Sequence, residues 1–399
     1  MHMKISGVEY LFGEQNIEVK PKQPYGEEQC EFLEALSKAL RADKEARQYT
    51  DILTFAFWIR RANIQQLYQA YGNTYNRIGK GVVFHIAPSN VAINFAYTFA
   101  FGMITGNANI VKVSSKRFVQ TTIICRVMNQ LMEEERFRWV RKENAVVLYD
   151  RENQEATDYY SSLCDVRIIW GGNHTIERVR KSPLQPRSTE ITFADRYSFG
   201  VISSEAILRA SEQDMKTLAE GFYNDTYLMD QNACSSPHLI FWVGNKADQK
   251  KAEERFWKSV YTEAKRYELA DIKVSDKYTM LCECAQKTEA FNVDRYDNLV
   301  YVVNLKELGE DITGYRGKFG LFYSYQIEDV EALFRYTNHK AIQTCAVFGI
   351  EEKVIADGIM RNHITGIDRI VKFGHTLDIG VFWDGYDIVS VLSRCIVSL

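Results

Sequence analysis

GVVFHIAPSNVAINFAYTFAFGMITGNANIVKVSS, Gly81 to Ser115, is the stretch whose reading decides the fold. Gly81 to Asn90 reads as an apolar strand that stops in a Pro-Ser-Asn turn. Residues 90–106 are the most apolar run of the chain, broken by Asn94, Thr98 and Gly102. The run is shorter than the ~20 apolar residues a membrane span needs, so it predicts a buried helix. Gly106 to Ser115 reads as a second strand. Strand, helix and strand in this order are the unit from which parallel sheets are wound.

The alternation continues downstream. A helix is expected from about Phe118 to Glu134, followed by the strand NAVVLYD, Asn144 to Asp150. DVRIIWGGNHTIERVRK, Asp165 to Lys181, reads as strand, Gly-Gly turn and helix. A long helix from Ser211 to about Leu228 leads into a loop, the strand HLIFWVG and a second alternating block that runs to about Ala356. Upstream, EEQCEFLEALSKALRADKEAR and DILTFAFWIRRANIQQLYQAYG place apolar residues at helical spacing. The class expected is α/β, with two doubly wound parallel-sheet domains behind a helical N-terminal segment. The expected divisions are 1–75, 76–204, 205–365 and 366–399, the last returning to the first domain.

The bulk numbers agree with an ordinary globular protein of two or three domains: 399 residues, 46% hydrophobic and 25% charged. A net charge of -3 leaves no footprint for nucleic acid or an anionic membrane. No N-terminal stretch has the parts of a signal peptide, so a cytoplasmic protein with reduced cysteines is expected. The eight cysteines follow no regular spacing, and no metal is expected.

Four short stretches could carry chemistry. Gly171 and Gly172 close a strand and open a helix, a place where backbone N–H groups suit a pyrophosphate; a tight turn using glycine for its φ angles is the plainer meaning. Lys112, Ser114, Ser115 and Lys116 could hold a ribose and a 2′-phosphate, or be a solvated strand end. Asn90 could aim its amide at an oxyanion, or cap the helix that follows. Cys234, in DQNACSSPH, could be a nucleophile in an approachable loop, or a small packed residue. The compartment argues against a disulfide there, and the spacing against a metal. His238, four residues on, is the one nearby candidate to ionise the thiol.

Together, HIAPSNV, GNANIVKVSS, WGG with the following TI, DQNACSSPH and the terminal FWDGYD resemble the long-chain acyl-CoA (fatty-acid) reductase family, within the aldehyde dehydrogenase superfamily. This is the family of the fatty-acid reductase complex of bioluminescent bacteria. The resemblance runs from about Lys80 to the C-terminus. It implies an aldehyde-dehydrogenase-like fold, with residues 76–204 a nucleotide-binding Rossmann-like domain and 205–365 a catalytic domain carrying the cysteine. It implies Cys234 as nucleophile and Asn90 as oxyanion donor. Lys112 would hold the adenosine ribose, and Gly171 and Gly172 would pass the pyrophosphate. Ser114, Ser115 and Lys116 would take a 2′-phosphate, which favours NADPH.

Two departures from the superfamily pattern stand out. The glutamate that activates water in acid-forming dehydrogenases aligns near Thr192 or Phe193, with Glu190 close but out of register. The superfamily's EIFGP is similar to GKFGL here, Gly317 to Leu321, with no carboxylate at its first place. The implied reaction is NADPH-dependent reduction of an acyl-CoA or acyl-protein thioester to the fatty aldehyde through a thioacyl-cysteine. An acyl-protein synthetase subunit or an acyl-carrier protein is the implied partner, and a homo-oligomer is expected. The rival readings are an aldehyde dehydrogenase forming an acid, and a nucleotide-independent cysteine acyltransferase or thioesterase.

Overall fold

The apolar run is a helix, Asn94–Ile104, and all of it except its first residue is buried. In the computed structural model, which describes residues 5–72, 74, 76–287 and 291–397, contacts divide the chain into two compact units. The first comprises residues 1–194 and 380–399, the second residues 195–379.

The first unit is built on a six-stranded sheet. Its order is Glu9–Phe12, Asn144–Leu148, Ala108–Val113, Val82–Ile86, Val166–Trp170, Thr189–Phe193. All neighbours are parallel except Glu9–Phe12, which runs antiparallel to Asn144–Leu148. From Val82–Ile86 the chain builds outward on one side, then returns to build on the other. The reversal lies between Val82–Ile86 and Val166–Trp170, and crevices at such reversals are where open α/β sheets bind ligands. Val82–Ile86 and Ala108–Val113 are wholly buried, as their largely apolar sequences favour, although His85, Asn109 and Lys112 interrupt them.

His85 and Asn109 are polar exceptions inside that core. The His85 ring reaches Thr98 Oγ1 at 2.7 Å and Asn109 Oδ1 at 3.0 Å, and Asn109 donates to Asn144 Oδ1 at 2.7 Å. Burial pushes the His85 pKa down to about 4. The close approach of Asn109 is possible because residue 102 is glycine: a Cβ there would lie 1.7 Å from Asn109 Oδ1.

Helices Glu27–Ala42, Thr50–Trp58 and Arg61–Tyr71 form the N-terminal part, in keeping with its periodicity. The edge strand Glu9–Phe12 is not foreseen by it, since four residues are too few to show a period. Near the other end, Ser393–Cys395 pairs antiparallel with Arg77–Gly79.

The second unit holds a seven-stranded sheet. Its order is Phe291–Tyr296, Val300–Leu305, Leu321–Ile327, Pro237–Val243, Tyr197–Ser203, Ile342–Phe348, Arg369–Lys372. Only the hairpin at the Phe291 edge is antiparallel. Alternate residues face opposite sides: Leu239 and Phe241 enter one core with Leu281 and Ile355, while Ile240 and Trp242 enter another with Phe222, Phe256 and Trp257. Helices therefore cover both faces. Residues 197–203 and 366–379, grouped by sequence texture with the first domain, lie in this unit. The reason is hydrogen bonding: Tyr197–Ser203 pairs with Pro237–Val243 and Ile342–Phe348, and Arg369–Lys372 extends the same sheet.

Candidate active site

In the first unit, a cleft of about 350 Å³ opens at the carboxyl ends of Val82–Ile86, Ala108–Val113 and Val166–Trp170. It gathers Asn90, Lys112, Ser114, Ser115 and Lys116 with Gly171 and Gly172. Parallel register brings these distant stretches side by side, because Ile86 pairs with Lys112 and with Ile169.

Asn90 does not cap the helix. The N-cap position is Ile93, and Asn90 is exposed on the cleft wall. Lys112 is only 9% exposed, with Nζ 5.3 Å from the Tyr149 ring centroid. Burial, and then the Arg178 charge, push its pKa down to about 8, against the pull of Asp150. Ser114 is buried and accepts the Lys116 N–H at 3.1 Å, which shapes the turn that carries Ser115 and Lys116 out to solvent. Neither Gly171 nor Gly172 has a positive φ, so left-handed backbone is not why they are glycine. A Cβ on Gly172 would meet nothing within 4 Å, leaving its backbone open to a close approach from the cleft.

Arg151 and Arg178 also line the cleft and were not singled out from the sequence. Glu152 pairs with them at 3.1 and 2.8 Å. Arg151 follows the strand Asn144–Leu148 at the end nearest the Lys112 turn, a signal visible only once that strand is placed beside Ala108–Val113. Lys112, Lys116, Arg151 and Arg178 give the cleft a predominantly cationic lining.

The positions aligned with the missing glutamate carry no carboxylate. Phe193 stacks on Trp170 at 3.7 Å, and Trp170 donates to Thr98 Oγ1 at 3.1 Å. Glu190 is held by Arg167 at 2.6 Å and Arg180 at 2.7 Å.

In the second unit, Cys234 lies in the turn that precedes the strand Pro237–Val243. The helix Glu212–Thr226 starts in a capping box at Ser211 and ends before the turn. Asp230 and Gln231 then take left-handed backbone, φ 53° and 58°. The Cys234 carbonyl accepts the Ser198 hydroxyl at 2.7 Å, the Ser236 N–H returns to Ala233 at 3.0 Å, and the Ser236 hydroxyl donates to the Asp225 carbonyl at 2.7 Å. The Gln231 side chain donates to the Leu321 carbonyl at 3.0 Å and accepts the Gly320 N–H at 2.8 Å. GKFGL is thus brought against the cysteine turn.

None of the eight cysteines is in a disulfide, and Cys234 alone is half-buried; five are buried and two exposed. Burial pushes the thiols of Cys125 and Cys164 up to about 12. His238, near Cys234 in sequence, has its ring engaged with other groups. Its ring is buried, stacks on Tyr197 and accepts the Gly317 N–H at 3.3 Å. Burial, and then the Arg316 charge, push its pKa down to about 3, so it resists taking a proton.

Among the described residues, no group of three or more His, Cys, Asp or Glu could hold a metal ion, and no helix is long and apolar enough to cross a membrane.

A family model described as acyl-CoA reductase (LuxC) matches residues 12–395. Among curated proteins, the chain is similar to the long-chain acyl-protein thioester reductase of Aliivibrio fischeri, 21% identical over 74% of this chain and 58% of that protein. It is similar to long-chain acyl-protein thioester reductase 2 of Photobacterium leiognathi, 21% identical over 74% of this chain and 59% of that one. The chain thus spans less than two thirds of the length of these relatives. Among solved structures, it resembles a NAD-dependent benzaldehyde dehydrogenase from Corynebacterium glutamicum, with TM-score 0.60, 14% identity, and 93% and 84% of the two chains covered. Aldehyde dehydrogenase 21 from Physcomitrella patens matches with TM-score 0.63, 10% identity, and 92% and 84% covered. These likenesses show an aldehyde-dehydrogenase-like fold.

Proposed function

Since the chain belongs to the acyl-CoA reductase (LuxC) family, we propose that it reduces a long-chain acyl thioester to the fatty aldehyde, with NADPH as reductant and Cys234 as the acyl carrier. The observation that carries the reading is the cationic cleft at the sheet's reversal point, where residues far apart in sequence, from Asn90 to Arg178, meet at the ends of parallel strands.

The cleft fits a dinucleotide. Lys112 and the open backbone at Gly172 suit ribose and pyrophosphate, and Ser115 and Lys116, with Arg151 and Arg178 nearby, suit a further phosphate. When bound, NADPH supplies hydride. The protein's part is to carry the acyl group. The Cys234 thiolate attacks the thioester carbonyl, a new thioester forms, and the donor leaves as its own thiolate. The exchange is close to thermoneutral, so it depends on positioning more than on driving force. Asn90 is the candidate side-chain donor to the oxyanion.

Keeping water from the thioacyl group separates aldehyde from acid. Phe193 in its stack and Glu190 between two arginines are consistent with a chain that forms aldehyde. The donor is an acyl-CoA or an acyl-protein thioester; the relatives' names speak for the second, and an acyl-protein synthetase or acyl-carrier protein would then be the partner.

The test is NADPH oxidation with a long-chain acyl-CoA, comparing wild type with Cys234→Ala and measuring aldehyde. Stoichiometric aldehyde from wild type and none from the variant is expected. Acid as product would return the chain to the dehydrogenases; an undiminished rate in Cys234→Ala would remove the cysteine from the mechanism.

A further inference from the structure

Two left-handed turns are tied together beside Cys234 in the second unit. One is Asp230–Gln231; the other is Phe319–Gly320, at φ 56° and 88°. The second turn has no room to change, because a Cβ on Gly320 would lie 2.1 Å from the Leu299 carbonyl and one on Gly317 would lie 1.8 Å from the Leu321 carbonyl. From the other side, Lys277, wholly buried on the helix Asp271–Lys287, donates to the Phe319 carbonyl at 3.0 Å.

Lys273 also spans the two turns, pairing with Asp230 at 2.9 Å and lying 5.6 Å from the Phe319 ring centroid, but the link to backbone on both sides is the Gln231 side chain. Gln231 is 2% exposed and uses both ends of its amide, on Gly320 and Leu321. Its own N–H returns to the Thr226 carbonyl at 2.8 Å, closing the helix end. We propose that Gln231 is the positioning residue of the nucleophile turn: its amide locks the backbone before Cys234 to the rigid 317–321 loop and thereby fixes the place of the thiol. The proposal rests on Cys234 being the nucleophile.

An amide both donates and accepts at that length at every pH, because it does not titrate. Gln231→Glu keeps the length and the acceptor for Gly320. When protonated, it also keeps a donor for Leu321; when ionised, it sets a carboxylate against a carbonyl oxygen. Burial raises the pH at which that change occurs. Gln231→Asn is one methylene too short to span the two turns.

The measurement is iodoacetamide labelling of the whole chain, with the rate read at each cysteine by peptide mass spectrometry. Exposed Cys282 and Cys395 are internal controls, and buried Cys125 and Cys345 report unfolding. For Gln231→Glu, the rate at Cys234 relative to wild type is expected to be near unity at about pH 5.5 and to fall roughly tenfold by about pH 8.5. The two controls should stay unchanged. Gln231→Asn should be slow at both pH values. Gln231→Glu tracking wild type at both pH values overturns the proposal, as does a loss at Cys234 that comes with labelling of Cys125 and Cys345, which would mean general support of the fold. Full reductase activity in Cys234→Ala removes the nucleophile reading itself, a result obtained without touching Gln231.

Discussion

A thiol attacks only as thiolate, and burial suppresses that form. The fold puts Cys125, Cys164 and Cys345 deep in the cores, where they are inert, and Cys234 in a hydrogen-bonded turn between helix and strand. Cys234→Ala should therefore lose both NADPH oxidation and the covalent acyl mass, while Cys345→Ala keeps the acyl mass; an acyl adduct that survives Cys234→Ala would sink the assignment. Lys112 presents the complementary case, a cation partly starved of solvation. With its pKa down at about 8, it is charged below that pH and neutral above. A dinucleotide's negative charge favours the charged form, so NADPH affinity should weaken as pH climbs through about 8. Lys112→Met should bind NADPH more weakly by about 1.5–3 kcal/mol at neutral pH and lose that dependence. Fluorescence titration across the range measures both; a variant with the wild-type slope would exclude Lys112 as its source.

At the level of strands and helices, the polar groups inside the first core set tight limits. Asn109 joins His85 to Asn144 only because Gly102 leaves it room. Gly102→Ala is expected to cost about 1–3 kcal/mol through the displaced Asn109; a melting midpoint equal to wild type would show that the network gives way without cost. Such strands are legible in the sequence, since largely apolar runs ending in Pro-Ser-Asn or Gly-Gly announce buried parallel strands and their turns. The cleft's glycines, lysines and serines are legible for the same reason: they sit where recognisable strands stop. Arg151 and Arg178 are not. Each belongs to an unremarkable charged stretch, and only sheet order shows that they face Lys112. His238 is misleading in the opposite way, near Cys234 in sequence yet committed to Tyr197 and Gly317.

On the scale of the molecule, a ligand that binds only the folded chain adds stability by mass action. NADPH at a hundred times its dissociation constant should add about 2.7 kcal/mol. Hydrogen exchange should show new protection concentrated at residues 86–90, 112–116 and 170–175, where the first sheet meets its cleft; protection confined elsewhere would move the dinucleotide site. The division into units is the part least visible in sequence. Tyr197–Ser203 looks like one more strand of the series before it, and only its partners reveal that it opens the second sheet. The first unit is also discontinuous: Arg77–Gly79 pairs with Ser393–Cys395, and the Arg77 guanidinium reaches the Ser393 hydroxyl at 2.9 Å across 316 positions of chain. On the ribosome, at roughly 5–20 residues per second, the earlier strand is made about 15–60 s before its partner exists. During that interval its edge stays open while the whole second unit is synthesised, so a nascent chain has a defined period in which this edge is available to chaperones or to a neighbouring nascent chain.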